Sequence, residues 1–275
     1  MLDCVFLHGK RRNIMNEVIT SVQNPRIKKV LALQQKSSER RRTGLFVVEG
    51  RREIEHLISA GYEFECVFVC PEMLQNGGNQ DFKCNTIEVS PYVYGKIAYR
   101  ESTEGVLAIV REKKITLDNL KLRDDALLVV VERVEKPGNL GAILRSADAA
   151  GADAVIVCDP LTDLYNPNLI RSSIGARFTV PMVACKSEEC ISFLKNNSIQ
   201  ILTAQLQDSS LYYNVDMRRA TALVMGTEST GLTQVWRDAA DLHIRIPMMG
   251  QLDSLNVSVS AAILLFEAVR QRERF

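Results

Sequence analysis

Three short polar segments hold the residues best suited to chemistry. The first is Lys136-Pro-Gly-Asn139, followed by Arg145. The second is Gly226-Thr-Glu-Ser-Thr-Gly231, where two glycines flank the carboxylate of Glu228. The third opens with Ile246-Pro-Met, ends in Ser254-Leu-Asn256 and runs into an apolar stretch over residues 259–269. Amides, a hydroxyl, a carboxylate and a guanidinium are the groups that fix a small ligand and steady developing charge. Each also has a plainer reading. Asn139 suits a helix N-cap, Arg145 a surface charge and Glu228 an exposed turn. Ser254 and Asn256 suit caps, and Ile246 and Leu255 suit core.

The surrounding pattern predicts the elements that position these segments. Residues 127–131 are a continuous apolar run, as in a strand buried on both faces. Residues 135–139 read as a turn. Leu140, Ile143, Leu144, Ala147 and Ala150 then recur at helical spacing, which puts Arg145 about 140° from the Leu140 direction. A strand at 154–157 completes a βαβ unit. Further strands are expected at 180–183, 200–204, 222–225 and 243–246, with helices at 187–196 and near 235–240. The expected fold class is α/β, a mostly parallel sheet with helices on both faces. In such sheets ligands bind beyond the carboxyl ends of the strands. The first half reads as a smaller α/β unit, with helices at 25–33 and 50–59 and strands at 45–49, 66–70, 86–89 and 105–110. Residues 77 and 78, both glycine, fall in a loop. The expected division is a leader without fixed structure over 1–15, a binding domain over 16–110, a charged linker over 111–125 and the main domain over 126–275. Met15 offers an alternative start.

Bulk properties exclude several classes. Net charge is +1 and 46% of residues are hydrophobic, enough for a real core without a polyanion-binding charge overall. Residues 10–52 nevertheless carry twelve Lys or Arg against Glu17, Glu39 and Glu49, a local +9 that suits a phosphate-facing arm or a solvated basic surface. Seven cysteines, an odd number, occur without a Cys-x-x-Cys pair, and no secretory leader is evident, so a reducing cytoplasm is expected. No apolar run is long enough for a membrane span. His8, His56 and His243 are scattered, so no metal is expected. The Gly-x-Gly phosphate turn of dinucleotide folds is absent, which argues against NAD or ATP.

Order and internal spacing identify a family. Asn139-Leu-Gly-Ala-Ile-Leu-Arg145-Ser-Ala-Asp-Ala-Ala-Gly151, Val224-Met-Gly-Thr-Glu-Ser-Thr-Gly231-Leu, and Ile246-Pro-Met with Ser254-Leu-Asn-Val-Ser258 closely resemble the three motifs of SpoU-type RNA ribose methyltransferases. The likeness covers roughly residues 126–272. Ile19-Thr-Ser-Val-Gln-Asn-Pro-Arg-Ile-Lys28, Phe46-Val-Val-Glu-Gly50 and Glu101-Ser-Thr-Glu-Gly-Val-Leu-Ala108 resemble the substrate-binding domain of many members.

The resemblance implies methyl transfer from S-adenosylmethionine to a ribose 2′-hydroxyl in RNA, on a sheet closed by a deep trefoil knot. By position it assigns Gly226, Ile246 and Leu255 to the cofactor, and Asn139, Arg145, Glu228, Ser254 and Asn256 to catalysis. A guanidinium keeps its proton, so Arg145 is expected to hold RNA phosphate and stabilise the emerging alkoxide. The proton then leaves through phosphate or water. Asn139 and Asn256 are expected to orient Arg145 and the ribose, and Glu228 to fix Arg145 or its loop. Lys136 stands where Asp or Asn is frequent in the family, and Ser229-Thr230 replaces a frequent Gly-Glu pair. The type of first domain favours ribosomal RNA over transfer RNA as partner. The resemblance and the apolar helix over 256–272 point to a homodimer. An inactive RNA-binding protein of the same fold, or a nucleotide-dependent enzyme on an ordinary sheet, are the competing expectations.

Overall fold

The computed structural model describes residues 18–74, 84–99, 104–227 and 230–272. The expected leader, Gly77, Gly78 and Glu228 lie outside the described residues. The first half runs α1 (Pro25–Gln35), α2 (Ser37–Thr43), β1 (Leu45–Glu49), α3 (Arg51–Ser59), β2 (Phe64–Val69), β3 (Thr86–Glu88), α4 (Pro91–Ile97) and β4 (Val106–Arg111). The second half begins with β5 (Leu127–Glu132), α5 (Pro137–Ala149), β6 (Ala154–Cys158), α6 (Pro167–Ser173), α7 (Ala176–Thr179), β7 (Met182–Cys185) and α8 (Ser187–Asn196). It closes with β8 (Gln200–Ala204), β9 (Ser210–Leu211), β10 (Thr221–Met225), α9 (Gln234–Ala239), β11 (Leu242–Arg245) and α10 (Val257–Gln271).

Two sheets result. The first has the order β1-β4-β2-β3, antiparallel except for the β2–β3 pair. The second has the order β7-β6-β5-β10-β8-β11-β9, and every one of its pairs is parallel. Alternation sorts its side chains into two layers. Leu127, Val129, Val131, Leu223 and Met225 face α5 and α10. Leu128, Val130, Ile156, Ala222 and Val224 face Cys190 and Leu194 of α8 and Trp236 of α9. Helices therefore cover both faces, as the buried apolar runs require. Among the described residues no helix is long and apolar enough to cross a membrane.

Several boundaries differ from the sequence reading for local reasons. The expected turn at 135–139 is already helix from Pro137 onward. Proline at the first helical position has its φ set correctly and lacks an N–H that would have no partner there. The same start opens α1, α4 and α6, where Asn24, Ser90 and Asn166 cap the helix with their side chains. The strand expected at 180–183 begins instead at Met182, because Val180 ends α7 and Pro181 has no N–H for a ladder. Helices α2, α4, α6 and α7 span seven residues or fewer, too short to display a 3.6-residue period.

The halves share an aromatic contact. Phe46 of β1 stacks on Tyr165 with ring centroids 4.4 Å apart, and Phe178 lies 6.0 Å from Phe46. Arg177 sits 4.6 Å over the Tyr165 ring. Beside them Arg40, only 5% exposed, pairs with Asp163 at 2.7 Å and donates to the carbonyl oxygens of Leu33 and Gln34. This corrects the picture of a uniformly phosphate-facing basic segment. Arg40 is an internal strut. Lys29 pairs with Glu65, Arg42 with Glu39, Arg51 with Glu55 and Arg52 with Glu53. Arg26, Lys28, Lys36 and Arg41 are left exposed on α1, α2 and the turn between them.

The chain end is anchored at the opposite, amino-terminal edge of the large sheet. Arg272 donates to the carbonyl oxygens of Asp125 (2.6 Å), Ala126 (3.4 Å), Met217 (2.8 Å) and Arg219 (2.7 Å). Burial and the nearby Arg123 push its pKa below the ordinary value, so the guanidinium is partly stripped of water and depends on these carbonyls. Gln271 adds bonds to the Val215 carbonyl and the Met217 amide. Together they tie the end of α10 to the entries of β5 and β10. Removing a charged donor that serves buried carbonyls costs roughly 3 kcal/mol. Arg272→Ala is expected to lose about that much in urea unfolding, and Arg272→Lys most of it, because an ammonium cannot span the fork. A loss below ~0.5 kcal/mol, the range of an ordinary surface substitution, would contradict the anchoring role.

Candidate active site

The carboxyl ends of β5, β10 and β11 release the three polar loops side by side. The loop after β5 leads into α5, which places Asn139 in its first turn, half-buried, and Arg145 further along on the exposed side. The helix is held against α6 by a close approach at Gly141. A Cβ there would lie 1.9 Å from Ser172 Oγ and 2.9 Å from the Ser173 amide nitrogen, so no larger residue fits. Asn139 is thus set by helix packing, not by capping. Lys136 holds the cap position instead.

The loop after β10 turns sharply on itself. Thr227 and Gly231 form a bridge, with the Gly231 N–H donating to the Thr227 carbonyl at 3.0 Å and the Thr230 N–H to Thr227 Oγ1 at 3.0 Å. Gly226 is required by this fold-back. A Cβ there would come within 2.2 Å of the Gly231 carbonyl carbon. The reading that Gly226 leaves room for a ligand therefore gains a second reason: the loop's own backbone fills that space. Glu132, 2% exposed at the end of β5, accepts from the Thr233 N–H at 2.8 Å and the Thr233 hydroxyl at 2.6 Å. That buried carboxylate pins the far side of the loop.

The third loop leaves β11 and returns to α5. Asn256 is the N-cap of α10, its Oδ1 accepting from the Ser258 N–H at 2.9 Å. Its Nδ2 donates to Asn139 Oδ1 at 3.2 Å, 117 residues away in the chain. The cap reading of Asn256 is correct, and the same side chain also joins two of the three loops. Ser254 caps nothing. It lines a hollow with Ile246 and Leu255, and Leu255 is 37% exposed and so is not core.

Two hollows are lined by these loops. One, about 130 Å³, is lined by Val134, Glu135, Lys136, Asn139, Gly226, Thr227 and Val257. The other, about 150 Å³, is lined by Ile244, Ile246, Met248, Ser254, Leu255 and Leu264, with the strand end at Ala204, Gln205 and Leu206 opposite. Gln205 Oε1 is buried there with no hydrogen-bond partner among the described residues. The fold therefore gathers Asn139 and Gly226 at one hollow, with Asn256 bonded to Asn139, and Ile246, Ser254 and Leu255 at the other. Arg145 lines neither. It is exposed and makes no hydrogen bond or ion pair among the described residues. Sequence reasoning missed Gln205 and Glu132. The signal for Gln205 was a polar residue directly after the strand at 200–204, and for Glu132 a carboxylate closing an otherwise apolar strand.

Comparisons with known proteins agree with this geometry. Residues 126–266 match the SpoU rRNA Methylase family, and residues 24–108 match the MRM3-like substrate binding domain. The chain is 31% identical, over 92% of each sequence, to a 23S rRNA (uridine(2479)-2′-O)-methyltransferase of Streptomyces viridochromogenes. A crystal structure of an RNA 2′-O ribose methyltransferase is 40% identical, with a TM-score of 0.82, across 94% of this chain and all of that one (100%). The structure of the SpoU methyltransferase AviRb from Streptomyces viridochromogenes in complex with AdoMet is 30% identical, with a TM-score of 0.84, across 91% of this chain and 99% of that one. Loops, sheet order and full-length likeness converge, and the chain belongs to the SpoU rRNA methylase family.

Proposed function

We propose that this protein methylates a ribose 2′-hydroxyl of ribosomal RNA. The observation that carries the reading is the joining of the first and third strand-end loops by the Asn139–Asn256 bond, with Ile246 and Leu255 of the third loop lining a hollow. S-adenosylmethionine fits that hollow by its chemistry. An adenine ring needs apolar walls and a few directed hydrogen bonds. Ile246, Met248, Leu255 and Leu264 supply the walls, and the buried Gln205 Oε1 offers an acceptor for an amino or hydroxyl group. When bound, the donor supplies a methyl group activated on a sulfonium.

The chain's own groups do the rest. Asn139 and Asn256, fixed to each other, present amide groups where the first and third loops meet and position the ribose. Arg145 stays protonated. Its exposure suits a group that captures an RNA phosphate and then balances the negative charge growing on the 2′-oxygen. The hydroxyl proton passes to phosphate or water. Ser254 lines the donor hollow, and Glu228, outside the described residues, keeps the catalytic role that the family resemblance assigns it.

Residues 16–110 form the RNA-binding domain, 111–125 the linker and 126–275 the catalytic domain in this reading. Exposed Arg26, Lys28, Lys36 and Arg41 supply phosphate contacts, which set affinity without reading sequence. The chain is knotted. Support comes from strand order: β11 lies beyond β8, yet the segment after it crosses back past β10 to reach α5. The six cysteines among the described residues are free, in keeping with a reducing cytoplasm. The protein works as a homodimer through α10, whose Val259 and Phe266 are each 47% exposed on one helix face.

Arg145→Ala is expected to lower turnover on ribosomal RNA about 100-fold or more, the usual loss for a charge-stabilising donor. Calorimetric affinity for S-adenosylhomocysteine should stay within about twofold. Collapse of that affinity would place Arg145 in the donor site and refute its assigned role. Phe266→Asp is expected to convert a dimer to a monomer in sedimentation, and a species of unchanged mass would remove α10 as the interface.

A further inference from the structure

The edge of the large sheet away from the loops' centre gathers three thiols that no sequence spacing announces. Cys158 ends β6 and Cys185 ends β7, and the two are direct partners in the parallel ladder. Cys190 faces them from the first turns of α8. The three Sγ atoms all lie within 4.8 Å of one another. Cys158 and Cys190 are fully buried, while Cys185 is half-buried and gives solvent access. All three are free thiols. The chain separations hide the cluster, because a strand pairing and a helix packing bring it together.

Packing alone would explain one buried cysteine as a small hydrophobe. Three converging sulfurs are a donor set. Around a soft ion with sulfur at about 2.3 Å, three ligands stand about 4 Å apart, which small rotamer changes reach from the observed spread. The carboxylate next to Cys158 in the chain is already engaged. Asp159 accepts from Ser187 Oγ at 2.7 Å and pairs with Lys186 at 3.3 Å.

We propose that Cys158, Cys185 and Cys190 form a binding site for a soft, thiophilic cation of the zinc(II) or copper(I) class, clamping β7 and α8 to β6. Sulfur-only ligation excludes hard ions such as magnesium. Binding forms three metal–sulfur bonds and releases the thiol protons to solvent. None of the three cysteines lines either hollow of the proposed active site, so the failure of this site would leave the methyltransferase reading untouched.

The test is anaerobic titration of the reduced full chain with cadmium(II) as probe. A thiolate-to-metal charge-transfer band should saturate at one equivalent and be resistant to excess magnesium. Copper(I) should displace the cadmium, and cadmium should displace zinc(II) bound beforehand, because sulfur-only ligation favours the softer ion. Cys185→Ser, at the half-buried position, should weaken the site more than about tenfold, the effect of losing one ligand of three, while Cys66→Ser should leave it unchanged. In the wild-type chain, where folding is not in question, cadmium should protect Cys185 from alkylation as read by peptide mass. Equal labelling of Cys185 with and without cadmium would overturn the proposal. So would a band that persists undiminished in both Cys185→Ser and Cys190→Ala.

Discussion

The Asn256 side chain serves two helices at once, and the site depends on that double use. Its oxygen starts α10 by accepting the Ser258 N–H, which fixes the rotamer. With the oxygen committed, the amide nitrogen can only point away from α10, and there it meets Asn139 on α5. The first and third loops are therefore joined wherever α10 begins correctly. The helix has little freedom to begin elsewhere, since its apolar face is packed against α5 and the sheet and its far end is fastened by Arg272. Local capping, core burial and site assembly are the same event seen at three scales.

That arrangement explains why rigid features surround groups that must act on a large ligand. Gly141 lets α5 sit hard against α6, and Gly226 lets the loop after β10 close on itself. Glu132 pins that loop from below. Against this frame Arg145 is exposed and makes no ion pair among the described residues, which suits the proposed capture of an RNA phosphate. The first half contributes in two ways. Part of its positive charge is internal, as Arg40 joins Asp163 across the aromatic contact, and part remains on the surface.

Much of this was legible before any coordinates. The strands expected at 127–131 and 200–204 and the helix expected at 187–196 are present, the first of them one residue longer than its apolar run. The three loops were legible as chemistry because polar residues followed apolar runs. What could not be read is what depends on distance. Nothing in the string 135–139 says that Pro137 begins a helix and does not end a turn. Arg40 and Lys36 look alike in sequence, yet one is a buried strut and the other is exposed. The orphaned Gln205 oxygen and the grouping of Cys158, Cys185 and Cys190 arise only when distant segments pack.

The central claim is that the segment after β11 folds back to enclose a sulfonium donor beside Asn139. Hydrogen–deuterium exchange of the full chain, with and without S-adenosylhomocysteine, tests it most directly. The account predicts that added protection falls on residues 204–206, 226–232 and 246–256 and leaves 45–111 unchanged. Protection centred outside those three segments, or none at saturating ligand, would contradict it.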